Sequence, residues 1–265
     1  MHRSRTRHRA ARPLVSAMVL AFAALALLGI SGLAVGQNTS MPTTGQEKGK
    51  SMATKEGEEE LPHAFFTHMG LPEGVGVYSL RVLGAAARSD GQNTGDFAFH
   101  FETGISPRIG LHIRNDRFRN SDKTEAMFQF AAYVSENGMN GFAPLIEFEL
   151  PTRSGASRIN TLVGFTTSLG ATTWAFNQVV HYDPKEDMVD GSVALVLKAS
   201  RYVFPVVELL GEGGTGVASA VNVLAGIKVR VREGINLGVA YQLPVTLRKD
   251  FSRQVVFGPD FDWKR

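Results

Sequence analysis

The chain has 265 residues, of which 43% are hydrophobic and 20% charged, and it contains no cysteine. The length permits one large all-β domain or two small domains. The absence of cysteine excludes a disulfide framework, a thiol nucleophile and a thiolate metal site. The formal net charge is +3, and the arginines of residues 1–12 account for it, so nucleic-acid binding loses its main support. A mean hydropathy near zero excludes a polytopic helical membrane protein but is compatible with a β-barrel.

The N-terminal residues have the order of a secretory signal. Basic residues 1–12 precede an apolar run at 14–30, and a small-x-small site follows at Ala34-Val35-Gly36. This order predicts a signal peptide over residues 1–36, cleaved after Gly36. The alternative is an uncleaved inner-membrane anchor, since the apolar run is at the lower limit of a span. An exported chain without a second apolar helix can reach the cell outer membrane as a barrel.

Residues 37–76 are predicted to lie outside the strands. Residues 37–60 are polar and cannot bury enough surface to fold, which predicts a disordered tail. Residues 61–76 contain several Pro and Gly residues and are predicted to lie against the barrel mouth or to plug it. His63 and His68 stand beside Met69, but their spacing matches no standard metal site. We therefore predict no metal site and no cofactor.

A period of two dominates the rest of the chain. In residues 221–231, Val, Ala and Ile occupy one parity, while Asn222, Lys228 and Arg230 share the other parity with small or apolar residues. That alternation is typical of a strand with one apolar face. Similar segments, separated by Gly- and Asp-rich turns, lie at 78–83, 97–102, 108–114, 126–134, 142–150, 158–167, 174–181, 193–198, 203–212, 235–243 and 251–257. The pattern predicts an all-β, antiparallel, up-and-down transmembrane β-barrel of about 12 strands over residues 77–265.

Charged residues on the polar parity are the candidate pore lining. A basic residue facing lipid at mid-bilayer costs about 2–4 kcal/mol, so these side chains are predicted to point inward. They are Arg81, His100, Glu102, Arg108, His112, Arg114, Glu147, Glu149, Arg158, Lys198, Glu208, Glu212, Lys228 and Arg230. Glu147 and Glu149 are expected to pair with Arg158 or Lys228. Both an open pore and an ion-paired, plugged lumen agree with this lining, whose mixed sign argues against strong ion selectivity.

The function predicted from the residues is passive passage of small solutes, apolar ones included, through an outer-membrane barrel. One alternative is a non-conducting structural barrel, and another is a periplasmic lipocalin-like barrel with an apolar interior. No spacing marks a nucleophile with its base, so an enzyme is not predicted. The expected partners are outer-membrane lipid, the barrel-assembly machinery and an unidentified small solute, without nucleic acid.

Four stretches carry a resemblance to a known family. They are FELPTRSG at 148–155, VGFTTSLG at 163–170, VVELLGEG at 206–213 and LAGIKVRVREGINLGVAYQLPVT at 224–246. The chain from 97 to 258 resembles the outer-membrane barrel family named for the MetA pathway of phenol degradation. The resemblance implies an outer-membrane channel or transporter of undefined substrate and supplies no catalytic residues. One departure is that Lys264 and Arg265 follow Trp263, whereas many such barrels end on an aromatic residue.

Overall fold

The structure, a computed structural model, describes residues 61–115, 123–152 and 159–265. The predicted signal peptide, the predicted disordered tail and Arg158 lie outside these residues. Among the described residues, none belongs to a helix long and apolar enough to cross a membrane.

The described residues form thirteen strands. They are β1 Val77–Ser89, β2 Gln92–Ser106, β3 Ile109–Asn115, β4 Lys123–Phe130, β5 Tyr133–Val134, β6 Gly141–Pro151, β7 Asn160–Ala171, β8 Trp174–Asp183, β9 Met188–Leu197, β10 Val203–Gly214, β11 Val217–Arg232, β12 Ile235–Pro244 and β13 Arg253–Lys264.

Sequential antiparallel pairing closes the sheet into a barrel. Consecutive long strands are neighbours, β1 pairs with β13, and β4 pairs with β6. β5 contributes only the two residues Tyr133 and Val134 beside the start of β6, so the closed wall has twelve strands. Closure pairs the backbone groups of both edges, as a sheet in lipid requires. The predicted all-β barrel of about 12 strands is confirmed.

Several strands extend beyond the predicted segments, and two of the segments differ in further ways. The segment predicted at 126–134 is divided, because β4 ends at Phe130 and the chain turns before β5. The last predicted segment, 251–257, begins two residues later and continues to Lys264, where β13 pairs with Val77 of β1. The longer β13 places Asp260 in the barrel wall.

The outer surface of the wall is a broad apolar belt. In β11, Ile227 and Val229 are exposed, as are Val239 and Tyr241 of β12 and Phe257 of β13. Away from the strand ends, the opposite parity of the same strands is buried or half-buried. An apolar surface of this extent is unusual on a soluble monomer and matches the lipid-facing band of a membrane barrel. A lipocalin-like barrel predicts the reverse distribution.

The two ends of the barrel are distinguished by the chain termini of its wall. We call the end where Val77 pairs with Lys264 the proximal end and the opposite end the distal end. The first distal turn is Asp90-Gly91, where φ is 48° and 81°, the positive values that a tight two-residue hairpin turn needs. Strands that begin at the proximal end therefore include β1, β3 and β10.

Residues 61–74, which we call the plug, lie inside the barrel. Phe65 has no exposed surface, and Ala64, Thr67 and His68 are each 1% exposed. Ala64 and Phe65 pack against an apolar patch of the inner wall formed by Leu83, Ala98, Ala194, Val196, Phe204, Val206, Leu224, Ala240 and Val256. Of the two predicted positions for this segment, the structure shows the one inside the lumen.

Candidate functional site: the plugged lumen

The barrel wall has glycines where the plug approaches it most closely. The carbonyl of Glu73 lies against Gly104 of β2, at a distance that leaves no room for a side chain. A Cβ atom added to Gly238 of β12 would lie 2.7 Å from the Phe65 ring. Glycine is the residue that permits such close approach. Because Gly104 and Gly238 belong to the proximal parts of their strands, the plug fills the proximal half of the lumen.

One buried carboxylate accepts hydrogen bonds from three backbone N–H groups of the plug. Glu208 of β10 has no exposed surface. It accepts hydrogen bonds from the backbone N–H of Phe65, from Phe66 N–H at 3.1 Å, and from the N–H and hydroxyl of Thr67 at 2.8 and 2.9 Å. Hydrogen bonds to a charged acceptor are about twice as strong as neutral ones. Glu208 therefore holds three successive plug residues.

Two buried cations donate hydrogen bonds to the carbonyl groups of the same plug residues. Arg81 of β1 donates to the carbonyls of Ala64, Phe65 and Thr67 at 3.0, 3.3 and 3.1 Å. Lys228 of β11 donates to the Ala64 carbonyl at 3.0 Å, and its ammonium lies 4.7 Å from the centre of the Phe65 ring.

The two cations are each neutralised by a carboxylate of the wall. Arg81 pairs with Glu102 of β2, and Lys228 Nζ lies 2.5 Å from Asp260 of β13. Charged groups without exposed surface are stable only when they are paired and hydrogen-bonded. The charges of this part of the wall thus bind the plug backbone and each other, rather than lining open water.

The following plug residues bind the other side of the wall. Gly70 N–H donates to the Asn177 side-chain oxygen at 3.0 Å, and Thr166 donates its hydroxyl to the Gly70 carbonyl at 2.9 Å. Gln129 donates to the Met69 carbonyl at 3.1 Å. The plug is therefore held by β4, β7 and β8 as well as by β1, β10 and β11, so it spans the cross-section of the lumen.

Histidines of the plug meet carboxylates near the proximal end. His63 Nε2 lies 3.2 Å from Glu73 and 3.5 Å from Asp262, and His63 Nδ1 lies 3.7 Å from Glu102. Burial alone lowers the pKa of His63, but the hydrogen bond to Glu73 and the charges of Asp262 and Glu102 raise this pKa to about 9. His68 Nδ1 lies 3.3 Å from Glu102, and its ring stacks on His100 at 5.5 Å.

A cavity of about 200 Å³ lies on the distal side of the plug. Phe66 of the plug lines it from the proximal side, and the remainder is lined by Arg114 of β3, by residues of β8 to β11 and by the loop before β13. Its surface combines apolar side chains such as Val179 and Leu210 with charged ones such as Asp190 and Arg114. A cavity of this size fits only a small solute.

The structure separates the predicted pore-lining residues into groups. Arg81, His100, Glu102, His112, Glu147, Glu208 and Lys228 are buried inside the barrel. Arg114, Glu149, Glu212 and Arg230 are half-buried on the inward parity of their strands. Arg158 lies outside the described residues. Their part in a conducting pore stays a prediction.

Two of the predicted lining residues lie outside the strands. Arg108 is exposed in the turn between β2 and β3, and Lys198 follows Leu197, the last residue of β9. The alternation of inward and outward side chains stops where a strand ends, so the predicted parity does not apply to them.

The expected pairing of Glu147 and Glu149 with Lys228 was wrong, and the other expected partner, Arg158, lies outside the described residues. Glu147 lies 3.6 Å from His181 Nε2 and 3.9 Å from Arg114, and Glu149 pairs with Lys123. Lys228 pairs with Asp260 instead. Pairing across the wall depends on strand register, which the sequence pattern does not provide.

Four polar residues that hold the plug or its partners were missed by the sequence reasoning. Gln129, Thr166 and Asn177 are neutral, and the cost of exposing charge to lipid identifies only charged residues as lining. Asp260 was missed because the last strand was predicted to end at Phe257. The inward parity of β13, extended through the aromatic C-terminal stretch, is the signal that identifies it.

No protein-family model and no curated protein matches the chain, so the resemblance to the phenol-degradation family is not confirmed. Among solved structures, the chain is similar to the NanC porin, with 8% identity, a TM-score of 0.49, and coverage of 70% of this chain and 99% of that one. It is also similar to OmpF of Salmonella typhi in complex with daunomycin, with 10% identity, a TM-score of 0.39, and coverage of 72% and 98%. A third similar structure is the translocator domain of the autotransporter NalP from Neisseria meningitidis, with 9% identity, a TM-score of 0.36, and coverage of 73% and 90%.

Proposed function

We propose that the protein is an outer-membrane channel for passive passage of small solutes, closed by its own plug in the conformation described above. The observation that carries the proposal is that the lumen of a membrane-type barrel is filled by a segment held only by non-covalent contacts. The plug is a single short segment without internal secondary structure. It is held by hydrogen bonds and ion pairs to the wall, and the chain contains no cysteine that could fix it covalently.

The distal cavity supports a role in solute entry. It lies against Phe66, so a solute that enters from the distal end contacts the plug directly. Apolar and charged groups alternate around it, which fits small solutes that combine an apolar body with a polar group. Displacement of the plug connects this cavity to the proximal end.

The second candidate is a non-conducting structural barrel. The observation that favours it is the depth of plug burial, with Phe65 fully enclosed and bound on all sides. A plug that never leaves makes the protein a membrane-spanning scaffold with charged groups inside it. Neither function requires a catalytic residue, and the outer-membrane lipid and the barrel-assembly machinery remain the proposed partners in both.

A solute-uptake experiment separates the two candidates. The full chain and a variant lacking residues 61–74 are refolded into liposomes, and swelling is followed with solutes graded in size and apolarity. A gel that resolves heat-modifiable mobility establishes that both barrels are folded. We expect slow swelling with the full chain and faster uptake of the smallest solutes with the variant. A folded variant whose liposomes swell no faster than empty ones contradicts the channel and favours the scaffold.

A further inference from the structure

Three potential ligand side chains from distant parts of the chain meet inside the lumen. His68 Nδ1 of the plug lies 3.2 Å from His112 Nδ1 of β3 and 3.3 Å from Glu102 Oε1 of β2. His112 Nδ1 lies 3.4 Å from Glu102 Oε2. All three side chains are buried, with at most 1% of their surface exposed.

The spacing of these atoms fits a small tetrahedral cation. Zinc binds imidazole nitrogen and carboxylate oxygen at about 2.0–2.2 Å, which places adjacent ligand atoms of a tetrahedron about 3.3 Å apart. The two imidazole nitrogens are 3.2 Å apart, and each lies near one oxygen of the Glu102 carboxylate, at 3.3 Å from Oε1 and 3.4 Å from Oε2, so the nitrogen pair and both nitrogen–oxygen distances are close to that edge length. Two imidazoles and one carboxylate form a ligand set that Zn²⁺ and related divalent transition metals accept, with a fourth position for water.

The hydrogen bonds of Gln129 fix the tautomer of His112. The Gln129 amide nitrogen donates to the carbonyl of Met69 and to the hydroxyl of Thr166, so the amide oxygen is the atom that faces His112. His112 Nε2 lies 3.1 Å from that oxygen and must carry the proton that it donates. In the neutral ring, Nδ1 therefore presents its lone pair to His68 and Glu102. A metal-binding histidine is commonly oriented in this way by an acceptor on its other nitrogen.

One proton shared by His68, Glu102 and His112 does not give each of their facing atoms a hydrogen bond. A proton on His68 Nδ1 can serve Glu102 Oε1 and His112 Nδ1, but Glu102 Oε2 then accepts no hydrogen bond from the described residues. Glu102 Oε2 and the lone pair of His112 Nδ1 would face each other at 3.4 Å. A cation bound by the three side chains removes the repulsion between Glu102 Oε2 and His112 Nδ1.

The carboxylate of Glu102 supplies the negative charge of the group, and two further carboxylates, those of Glu73 and Asp262, lie 3.2 and 3.5 Å from the neighbouring His63 Nε2. Arg81 pairs with Glu102 Oε1, whereas Oε2 faces His112 Nδ1 at 3.4 Å and His63 Nδ1 at 3.7 Å.

We propose that His68, Glu102 and His112 form a binding site for a divalent transition metal of the Zn²⁺ class, which joins the plug to β2 and β3. The site does not depend on whether the barrel conducts. The sequence spacing gave no indication of it, because His68 is separated from Glu102 by 34 positions and from His112 by 44. A bound metal adds a coordinate link to the hydrogen bonds that already hold the plug.

The test is metal binding by the untagged, refolded chain after removal of metal with a chelator. Isothermal titration with Zn²⁺ measures affinity and stoichiometry, and Co²⁺ reports the geometry through the d–d absorption of a tetrahedral site. The variants are His68→Gln, His112→Gln and, as a matched control, His181→Gln, which removes another buried lumen histidine. His68 belongs to the plug and not to the barrel wall, so we expect the His68→Gln variant to form the barrel. A heat-modifiability gel checks that it does.

We expect one Zn²⁺ per chain, tetrahedral Co²⁺ bands, loss of both signals in His68→Gln and His112→Gln, and retention in His181→Gln. Gln129→Leu is expected to weaken Zn²⁺ binding by about 10- to 100-fold, because it releases the ring of His112. The proposal is overturned if the folded chain binds no Zn²⁺, or if His68→Gln binds it as tightly as the unchanged chain.

Discussion

Glu208→Gln is the substitution that tests the plug contacts most selectively. It keeps the size and shape of the side chain and replaces one carboxylate oxygen by an amide that can only donate. Glu208 receives the N–H groups of Phe65, Phe66 and Thr67 and the Thr67 hydroxyl. After the change, the amide faces donors of the plug, and the remaining oxygen is a neutral acceptor.

The magnitude follows from the donors that lose their acceptor. The backbone N–H and hydroxyl of Thr67 bind the same oxygen, at 2.8 and 2.9 Å, and are buried. A buried donor left without a partner costs about 1–3 kcal/mol. The Thr67 hydroxyl can rotate to accept from the new amide, but the Thr67 N–H cannot. The loss of this acceptor, together with the loss of the charged acceptor for the other plug donors, destabilises the plugged state by about 3 kcal/mol, which shifts the ratio of plugged to unplugged barrel by about 100-fold.

Hydrogen exchange of the plug amides measures this shift. We expect the exchange of Phe65, Phe66 and Thr67 to accelerate by about two orders of magnitude in Glu208→Gln, while the strand amides remain protected. Glu186→Gln in an exposed distal turn is the control. If the three plug amides exchange at the same rate in both variants, Glu208 does not hold the plug and the reasoning is refuted.

Three further substitutions test the lipid-facing surface, a buried ion pair of the wall and a contact between the wall and the plug. Ile227→Lys places a charge in the apolar belt and should make folding into vesicles about 2–4 kcal/mol less favourable than it is for Ile227→Val. Equal stability of the two variants would show that this face does not contact lipid. Lys228→Met leaves Asp260 buried without its partner and should cost about 3–5 kcal/mol in denaturant unfolding. The double variant with Asp260→Leu should recover part of that loss, and a single variant as stable as the parent would contradict the ion pair. Gly238→Val collides with Phe65 and should speed exchange of the Phe65 amide without changing barrel mobility on a gel; unchanged exchange would place the plug elsewhere.

The period of two predicted much of the wall because it reports a geometric property of each strand. Alternate side chains point to opposite faces, so the apolar parity of residues 221–231 identified the outer face, and Lys228 was correctly placed inside. The even spacing of such segments then indicated a closed barrel. These inferences need only local pattern and the cost of exposing charge to lipid.

The interior could not be predicted in the same way because its contacts join distant strands. Lys228 is paired with Asp260 by the register of β11, β12 and β13, and Glu147 meets His181 through the register of β6, β7 and β8. No periodicity encodes these offsets. Similarly, the Pro and Gly residues of 61–76 indicated an irregular segment near the barrel, but its exact path depends on which wall positions are glycine.

Single-channel recording in a planar bilayer tests the central claim most directly, namely that a membrane barrel is closed by its own residues 61–74. The full chain and the variant lacking these residues are compared after both show heat-modifiable mobility. The account predicts rare, brief openings for the full chain and sustained, discrete ion conductance for the variant. Equal conductance of the two proteins, or a folded variant that conducts nothing, would contradict it.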